Sequence, residues 1–347
     1  MKSLKYIIFY FLFILVFFYL TFSSTGFASN VGRLYQISGK TMGTFYTIKF
    51  ITGKEQSSRM WKARVDTLLR DVNKKLSMYD PKSELSRFNH QKIGESVNTS
   101  SDFYTVLLTA QKLYQMTEGS WDGTVKPLVD LWGFGTNKKI NQIPGADEIT
   151  LALSKTGFHH IHIKEPQTIY KTAGITLDLG SIAKGYGVDA IARLFTASGI
   201  HDILVEIGGE LYASGINKKG KPWSVGISRP AKAFANQGLY KIVRLKNHAI
   251  ATSGNYRNFF ELNNKTFSHI IDPRTGFPVD NKIVSASVIA KNCTFADGLA
   301  TALMVMDVQK GIGLVNRLED TECLIIQKKD QTLVSHVSEN FDGFVKK

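Results

Sequence analysis

The segment TLDLGSIAKGYGVD, residues 176–189, joins a short apolar run to the start of a region with helical periodicity. Asp178 closes the apolar run, Gly180 supplies a turn, and Lys184 falls in the first turn of the predicted helix. A positive charge near the N-terminus of a helix is unfavourable, because it opposes the helix dipole. A lysine at such a position suggests a functional reason. A strand end followed by a helix start can present a carboxylate, backbone groups and an ammonium to one anionic ligand. The alternative is an ordinary strand, turn and helix with a surface lysine.

The composition favours a folded protein that binds an anion. The chain has 347 residues, of which 43% are hydrophobic, enough for one large or two modest packed domains. Its 43 Lys and Arg residues outnumber 29 Asp and Glu, giving a formal net charge of +14. The basic residues are scattered through periodic segments and no nucleic-acid-binding motif occurs, so we expect affinity for phosphates and no nucleic-acid partner.

Residues 1–28 have the features of a signal peptide or an N-terminal membrane anchor. Lys2 and Lys5 precede an apolar run from Tyr6 to Leu20, and small residues follow it. The run is near the lower limit for a membrane span, so both interpretations stay open. We expect the rest of the chain to be exported to the periplasm, with anchoring to the inner membrane as an option. Cys293 and Cys323 could pair in that oxidising compartment, although two buried free thiols are the favoured state.

The order of strands and helices predicts an α+β fold. Most strands follow one another as hairpins, so we expect mainly antiparallel sheets with helices packed on them and two subdomains around a cleft. Residues 137–150 are polar and rich in turn formers, which predicts a surface connection. Helices are predicted over 58–76, 101–117, 182–198 and 294–306, and strands over 33–50 (a pair), 161–177 (several short strands), 203–207, 210–214, 223–228, 241–245, 249–258, 267–271, 283–290, 321–327 and 332–337.

A carboxylate and a hydroxyl four residues apart, Asp297 and Thr301, share one face of a predicted helix. Oxygen ligands of this kind suit Mg²⁺, but a helix-terminal charge and a helix-facing hydroxyl explain the pair equally well. Zinc-type His and Cys spacing, a P-loop and a dinucleotide fingerprint are all missing from the sequence. Met42 at a turn is either a gap filler or a contact for a flat ring, and Tyr79 after a helix is either a rim residue or a stacking platform.

Eight motifs occur in a fixed order. They are MGT (42–44), SMYDP (77–81), GSWDGTVKPLVDLWGFG (119–135), LDLGSIAKGYGVD (177–189), VEIGGEL (205–211), ATSGNYRN (251–258), HIIDPRTGFP (269–278) and ADGLATALMV (296–305). In this combination the chain closely resembles the FAD:protein FMN transferases of the ApbE family, from about residue 33 to its C-terminus. Residues 29–347 would then form one flavin transferase domain.

The resemblance implies an FAD cleft with Mg²⁺ on the pyrophosphate. By motif position, the residues implied to contact FAD are Met42, Tyr79, Ser120, Trp121, Asp122, Asp178, Lys184 and Ile271. The residues implied to hold magnesium are Ser181, through its backbone carbonyl, Asp297 and Thr301.

The implied reaction is attack by a threonine hydroxyl of an acceptor protein on the phosphorus at the FMN side of FAD, with AMP as leaving group. Such a transfer depends on charge neutralisation and in-line positioning, and Lys184 would contribute to the first. His269 is our candidate base, because imidazole titrates near neutral pH; Asp178 is the rival, and an ordinary strand histidine is the alternative. The resemblance suggests acceptors in the sodium-pumping NADH:quinone reductase, in Rnf-type complexes or among other exported flavoproteins.

Two other functions are compatible with the same motifs. With water in place of the acceptor, the protein would be an Mg²⁺-dependent FAD pyrophosphatase that yields FMN and AMP. Without chemistry it would be an exported flavin-binding protein. The second is disfavoured by Lys184, Asp297 and Thr301, since a passive binder needs no metal at the scissile phosphates.

Overall fold

The computed structural model describes residues 32–135, 143–230, 238–255, 259–262, 265–330 and 332–346. The predicted signal peptide or anchor, residues 1–28, lies outside these ranges. Within them, no helix has the length and apolar character needed to cross a membrane.

An eight-stranded sheet forms the centre of the structure. Its spatial order is β1-β2-β6-β7-β10-β13-β14-β15, and every neighbouring pair is antiparallel. The strands of the whole structure are β1 (Arg33–Thr41), β2 (Thr44–Thr52), β3 (Val97–Asn98), β4 (Ile161–Lys164), β5 (Thr168–Lys171), β6 (Asp202–Ile207), β7 (Glu210–Ser214), β8 (Trp223–Ser228), β9 (Leu239–Leu245), β10 (His248–Gly254), β11 (Phe259–Leu262), β12 (Lys265–Ser268), β13 (Ile283–Ala290), β14 (Glu322–Lys329) and β15 (Thr332–Val337). The predicted α+β architecture is confirmed.

The described α-helices lie in two connections between strands of this sheet. They are α1 (Ser58–Leu76), α2 (Glu84–His90), α3 (Ser101–Met116), α4 (Lys126–Leu131), α5 (Ala146–Leu153), α6 (Gly180–Ala197), α7 (Cys293–Val305) and α8 (Val308–Val315). Helices α1–α6 and the small sheet β3-β5-β4 lie between β2 and β6, which are neighbours in the large sheet. Helices α7 and α8 connect β13 to β14. Side-chain caps start several of them, as where the Asn292 side chain accepts from the amide of Phe295 at the start of α7.

The large sheet is covered on both faces. One face buries apolar side chains from β2, β6 and β13, such as Phe50, Val205 and Val288, together with the apolar stripes of α1, α6 and α7. The opposite face buries Ile250 and Leu324 against the β8–β9 hairpin. Alternate residues of the central strands therefore serve two cores, whereas β8 of the separate hairpin buries one face and exposes the other.

Four helices, α2, α4, α5 and α8, were missed, and local side-chain hydrogen bonds start three of them. Helix α5 begins inside the predicted surface connection; the Glu148 side chain accepts a hydrogen bond from the amide of Gly145 and so caps it. Helix α8 starts at Asp307, whose side chain accepts from the amides of Gln309 and Lys310. Helix α2 follows Ser83, which caps it in the same way. Residues 136–142 of the predicted connection lie outside the described ranges.

Two corrections concern the candidate site. Residues 175–179 form no strand before α6 but run as irregular backbone, and Lys184 is the fifth residue of that helix, not part of its first turn. The strand expected to carry His269 ends at Ser268. The Ser268 hydroxyl accepts a hydrogen bond from the amide of Ile270, which turns the chain away from the strand direction.

Helices α6 and α7 pack unusually close together. A Cβ atom added at Gly185 would lie 2.4 Å from the carbonyl oxygen of Cys293, so only glycine fits. One turn further along α6, buried Asp189 accepts hydrogen bonds from the amides of Cys293 and Thr294 and from the Thr294 hydroxyl. The α6 helix thus caps the N-terminus of α7 through a carboxylate.

Both cysteines are buried free thiols, as the sequence favoured. Burial raises the pKa of Cys323 to about 12 and that of Cys293 well above its ordinary value. Both side chains therefore act as small apolar groups of the core.

We expect glycine-to-alanine substitutions at Gly185, in the α6–α7 contact, and at Gly313, in α8, to have opposite effects on stability. Gly185→Ala should lower the free energy of unfolding by about 1–3 kcal/mol, because the methyl group meets backbone that cannot move aside. Gly313→Ala in α8 is the matched control: its added Cβ meets nothing nearer than Arg317 at 3.8 Å, so the helix should gain up to about 1 kcal/mol. Urea unfolding of both variants measures the difference, and a stabilised Gly185→Ala protein would contradict the close packing.

Candidate active site

Two adjoining cavities open at one end of the large sheet. The first has a volume of about 740 Å³ and the second about 590 Å³, and both are lined by Tyr79, Asp178, Gly180 and Lys184. Every residue that the sequence singled out lines one or both of them: Met42, Tyr79, Ser120, Trp121, Asp122, Asp178, Ser181, Lys184, His269, Ile271, Asp297 and Thr301. Residues from distant parts of the chain thus meet at one place.

The larger cavity has an apolar rim. Met42 and Gly43 form the tight turn between β1 and β2, with φ of 48° and 71°. The Met42 side chain turns back over α6, because a Cβ added at Gly187 would lie 3.1 Å from its Cε atom. Tyr79 is 76% exposed, and its backbone is fixed because the hydroxyl of Ser77 accepts hydrogen bonds from the amides of Tyr79 and Asp80. A flat ring system can lie between such side chains.

The loop after α3 forms one wall of the smaller cavity. Gly119 takes a left-handed conformation that ends the helix. The indole nitrogen of buried Trp121 donates to the Ser181 hydroxyl at 3.0 Å, which fixes the loop to the start of α6. The buried Ser120 hydroxyl has no hydrogen-bond partner among the described residues, so it is available to a ligand.

The two carboxylates of this wall have different environments. Asp122 is saturated: one oxygen accepts from the amide and hydroxyl of Thr124, and the other accepts from the amide of Phe158. Asp178 uses one oxygen for the amide of Gly180, and its second oxygen accepts no hydrogen bond from the described part of the chain. Burial raises the pKa of both carboxyl groups. Asp122 therefore shapes the wall, whereas Asp178 retains an oxygen for a ligand.

A buried charge cluster forms the floor of the smaller cavity. The Lys184 ammonium lies 2.9 Å from Oε1 of Glu210 and 3.6 Å from Oδ2 of Asp297. The amide of Gly185 also donates to that oxygen of Asp297, at 3.1 Å. The cluster thus places two carboxyl groups against one ammonium in a site largely removed from water, and the carboxyl group in excess of that counter-ion can bind a further cation.

Burial and the neighbouring charges both shift the pKa values of the groups in this cluster. Burial lowers the pKa of Lys184, but the carboxylates of Asp297 and Glu210 outweigh it and hold the pKa above its ordinary value. Burial, followed by the charge of Asp297, raises the pKa of Glu210 to about 8 against the influence of Lys184. Burial likewise raises the pKa of Asp297. The lysine therefore stays charged, and the two carboxylates compete for it.

The Asp297 carboxylate and the hydroxyl groups of Thr301 and Ser253 line the same cavity. The Oδ1 atom of Asp297 accepts no hydrogen bond from the described residues, and Thr301 lies one turn further along α7. The Thr301 hydroxyl is 3.1 Å from the hydroxyl of Ser253 on β10. The described residues contain no cluster of three His, Cys, Asp or Glu side chains of the kind that holds a metal alone. A hard cation that completes its shell with ligand oxygens and water fits such a donor set.

The segment after β12 closes the smaller cavity. Ile271 is buried and pairs with Pro278, and it packs in a cluster with Leu128 and Trp132. His269 is half-buried, lines the cavity and lies edge-on to the ring of Phe134 with a centroid distance of 6.3 Å. The imidazole therefore has access to the cavity from a turn, not from a strand.

Sequence reasoning named neither Ser253 nor Glu210, and Glu210 is the charged residue of the two. Its motif, VEIGGEL, contributes to the predicted hairpin and to the family resemblance, but neither assigns a role to Glu210. The register pairs Glu210 with Ile207, so it faces the same core as Val205 and Ile207. A carboxylate on the core face of a strand requires a buried counter-charge, and that requirement was the available signal.

Known proteins of one family match this chain in sequence. A family model described as the ApbE family matches residues 42–325. A protein of Vibrio cholerae named FAD:protein FMN transferase is 39% identical over 312 residues, covering 90% of this chain and 92% of that protein. The protein of the same name from Escherichia coli is 34% identical and covers 89% of this chain and 88% of its own length.

Solved structures of the same kind share the fold. The flavin transferase ApbE from Vibrio cholerae has a TM-score of 0.81 at 38% identity, over 90% of this chain and 99% of that one. The apo form of the Pseudomonas stutzeri flavinyl transferase ApbE has a TM-score of 0.81 at 33% identity, over 90% and 97% of the two chains. The similarity therefore includes both the sheet and the inserted helices.

The difference between the two wall carboxylates can be tested by amide substitution. Asp122→Asn should lower the free energy of unfolding by about 1–3 kcal/mol, because the new NH₂ group faces the donors of Thr124 or Phe158. Asp178→Asn should cost less than about 1 kcal/mol, since its amide oxygen can still accept from Gly180. Denaturant titration measures both values, and an equal loss in the two variants would show that Asp122 is not the saturated group.

Proposed function

The chain belongs to the ApbE family and is an FAD:protein FMN transferase, and we propose that it moves FMN, with the help of Mg²⁺, from FAD to a threonine hydroxyl of an acceptor protein and releases AMP. The observation that carries this proposal is the pair of joined cavities, one with an apolar rim and one with a buried charged floor. A dinucleotide has the same division between flat rings and a pyrophosphate.

FAD would lie across both cavities. A ring system would occupy the larger one, against Met42 and Tyr79, and the pyrophosphate would occupy the smaller one, close to Lys184. The ammonium of Lys184 offers the positive charge that a transferring phosphoryl group requires. The unpartnered hydroxyl of Ser120 and the second oxygen of Asp178 would bind polar groups of the ligand.

Magnesium would be held by the backbone carbonyl of Ser181, the carboxylate of Asp297 and the hydroxyl of Thr301. The oxygen-only donor set supports this assignment. The turn of α6 that carries Ser181 lies against Asp297, because the amide of Gly185 donates to that carboxylate. When bound, the ion would neutralise charge on the pyrophosphate oxygens.

In the proposed reaction, the threonine oxygen forms a bond to the phosphorus at the FMN side, and the bond from that phosphorus to the bridging oxygen breaks. AMP leaves with the bridging oxygen and its electron pair. A base of the protein takes the threonine proton, and His269 is our candidate because it lines the cavity and imidazole titrates near neutral pH. Asp178 remains the rival base. Buried Trp121 and Ile271 help to exclude water from the reacting atoms.

The proposal extends to the place of action and to the acceptors. The pattern of residues 1–28 supports export to the periplasm, with or without an inner-membrane anchor. Acceptors would be flavoprotein subunits such as those of the sodium-pumping NADH:quinone reductase or of Rnf-type complexes.

Mass spectrometry of an acceptor domain tests the transfer directly. After incubation with this protein, FAD and Mg²⁺, we expect a mass gain equal to covalent FMN and release of one AMP for each FMN attached. Asp297→Ala should lower the rate by more than about a hundredfold, because it removes the charged ligand of the proposed cation, and its circular dichroism should match the wild type. Free FMN and AMP without acceptor labelling would indicate a pyrophosphatase instead. Full activity of Asp297→Ala would refute the metal assignment.

The role of His269 predicts a change in the pH profile. His269→Ala should lower the transfer rate about a hundredfold or more at neutral pH. In the wild type the rate should fall as pH drops through the imidazole pKa, because the protonated ring accepts no proton, and this limb should vanish in the variant. His162→Ala, in the small sheet and stacked on Tyr170, is the control and should leave the rate within twofold. A wild-type rate for His269→Ala would transfer the role to Asp178.

A further inference from the structure

Glu210 is held rigidly beside the proposed cation site. It follows the turn Gly208–Gly209, in which both residues have positive φ, and it is the first residue of β7. Only 5% of the residue is exposed. A Cβ added at Gly208 would lie 3.4 Å from both Oε2 of Glu210 and Cδ of Lys184. The turn therefore packs directly on the Glu210 side chain and on the stem of Lys184.

The geometry gives Lys184 two possible partners. Its ammonium lies within hydrogen-bond distance of Glu210, at 2.9 Å, but stands 3.6 Å from Asp297. The two distances differ by only 0.7 Å (3.6 − 2.9 Å), so a small rotation of the long lysine side chain would make Asp297 the closer partner. An ammonium bound directly to Asp297 would compete with any cation for that carboxylate.

We propose that Glu210 is a positioning residue that holds Lys184 away from Asp297 and so keeps the Asp297 carboxylate available to a divalent cation. The inference rests on the proposed function, because it concerns the same cation site. The Oε1 atom of Glu210 pairs with Lys184, and its buried Oε2 atom has no hydrogen-bond partner among the described residues. Glu210 acts through Lys184, whose ammonium it holds at 2.9 Å.

The loss of Glu210 leaves Asp297 as the remaining carboxylate in the floor cluster. Lys184 then becomes the counter-ion of Asp297, and a divalent cation has to displace it before binding. Removal of residues that orient metal ligands typically lowers affinity about 10- to 100-fold. We therefore expect a weaker cation site in a protein whose fold is unchanged.

Mn²⁺ binding to the full chain tests the inference without any turnover. The free ion is counted by electron paramagnetic resonance in a titration of the wild type, Glu210→Ala, Glu210→Gln and Glu206→Gln. The two Glu210 variants should raise the apparent Kd for Mn²⁺ about tenfold or more. Glu206, on β6 of the same hairpin but on the opposite face of the sheet, is the charge-matched control, and its variant should bind within twofold of the wild type.

A double variant separates positioning from simple loss of negative charge. If Glu210 acts by restraining Lys184, then Glu210→Ala should have no effect in a Lys184→Met background, because no ammonium is left to compete. If Glu210 contributes only its charge, the substitution should weaken Mn²⁺ binding equally in both backgrounds, and the inference is wrong.

The same titration distinguishes this inference from the function on which it rests. Wild-type binding that is lost in Asp297→Ala, together with unchanged binding in Glu210→Ala and Glu210→Gln, would overturn only the role of Glu210. Wild-type affinity retained in Asp297→Ala would overturn the proposed cation site and with it the role of Glu210. The Glu210→Gln variant keeps the shape of the side chain. A melting temperature equal to that of the wild type would show that weaker binding is not caused by unfolding.

Discussion

The candidate site depends on the close contact between α6 and α7. Gly185 admits the backbone of Cys293 where any Cβ atom would clash, and Asp189 caps α7 from the side of α6. This contact brings the carboxylate of Asp297 against the turn of α6 that carries Ser181 and Lys184. The rigid interface between two buried helices fixes these groups more precisely than loops of the same sequence would.

The antiparallel sheet supplies the remaining groups through its turns and strand ends. The turns β1–β2 and β6–β7 place Met42 and Glu210 on the same side as the helices, and the end of β10 adds Ser253. The site therefore combines a soft apolar rim with a charged floor, although its parts come from separate hairpins. The same turn chemistry that fixes strand register also fixes the charge pattern of the cavity.

Much of the fold was predictable, because the strands of the hairpins alternate clearly and α1 has a strong apolar stripe. The ordered motifs also contain the twelve residues that were named from the sequence, and all twelve line the two cavities. The failures have physical causes. Short helices such as α5 depend on caps more than on periodicity, and the strand before His269 ends at a side-chain hydrogen bond of Ser268 that no pattern reveals. Glu210 was missed because its importance appears only when strand register places it on the core face.

The contact between Gly185 and Asp297 joins residues separated by 112 positions in the chain. Loop closure over such a distance has to be completed before the contact stabilises anything. During synthesis from the N-terminus, the chain can form the β1–β2 hairpin and α1 early. The charged floor cannot form until α7 has been synthesised. It therefore forms only once α7 joins the structure, after β1, β2, β6, β7, β10 and β13 of the large sheet have been synthesised.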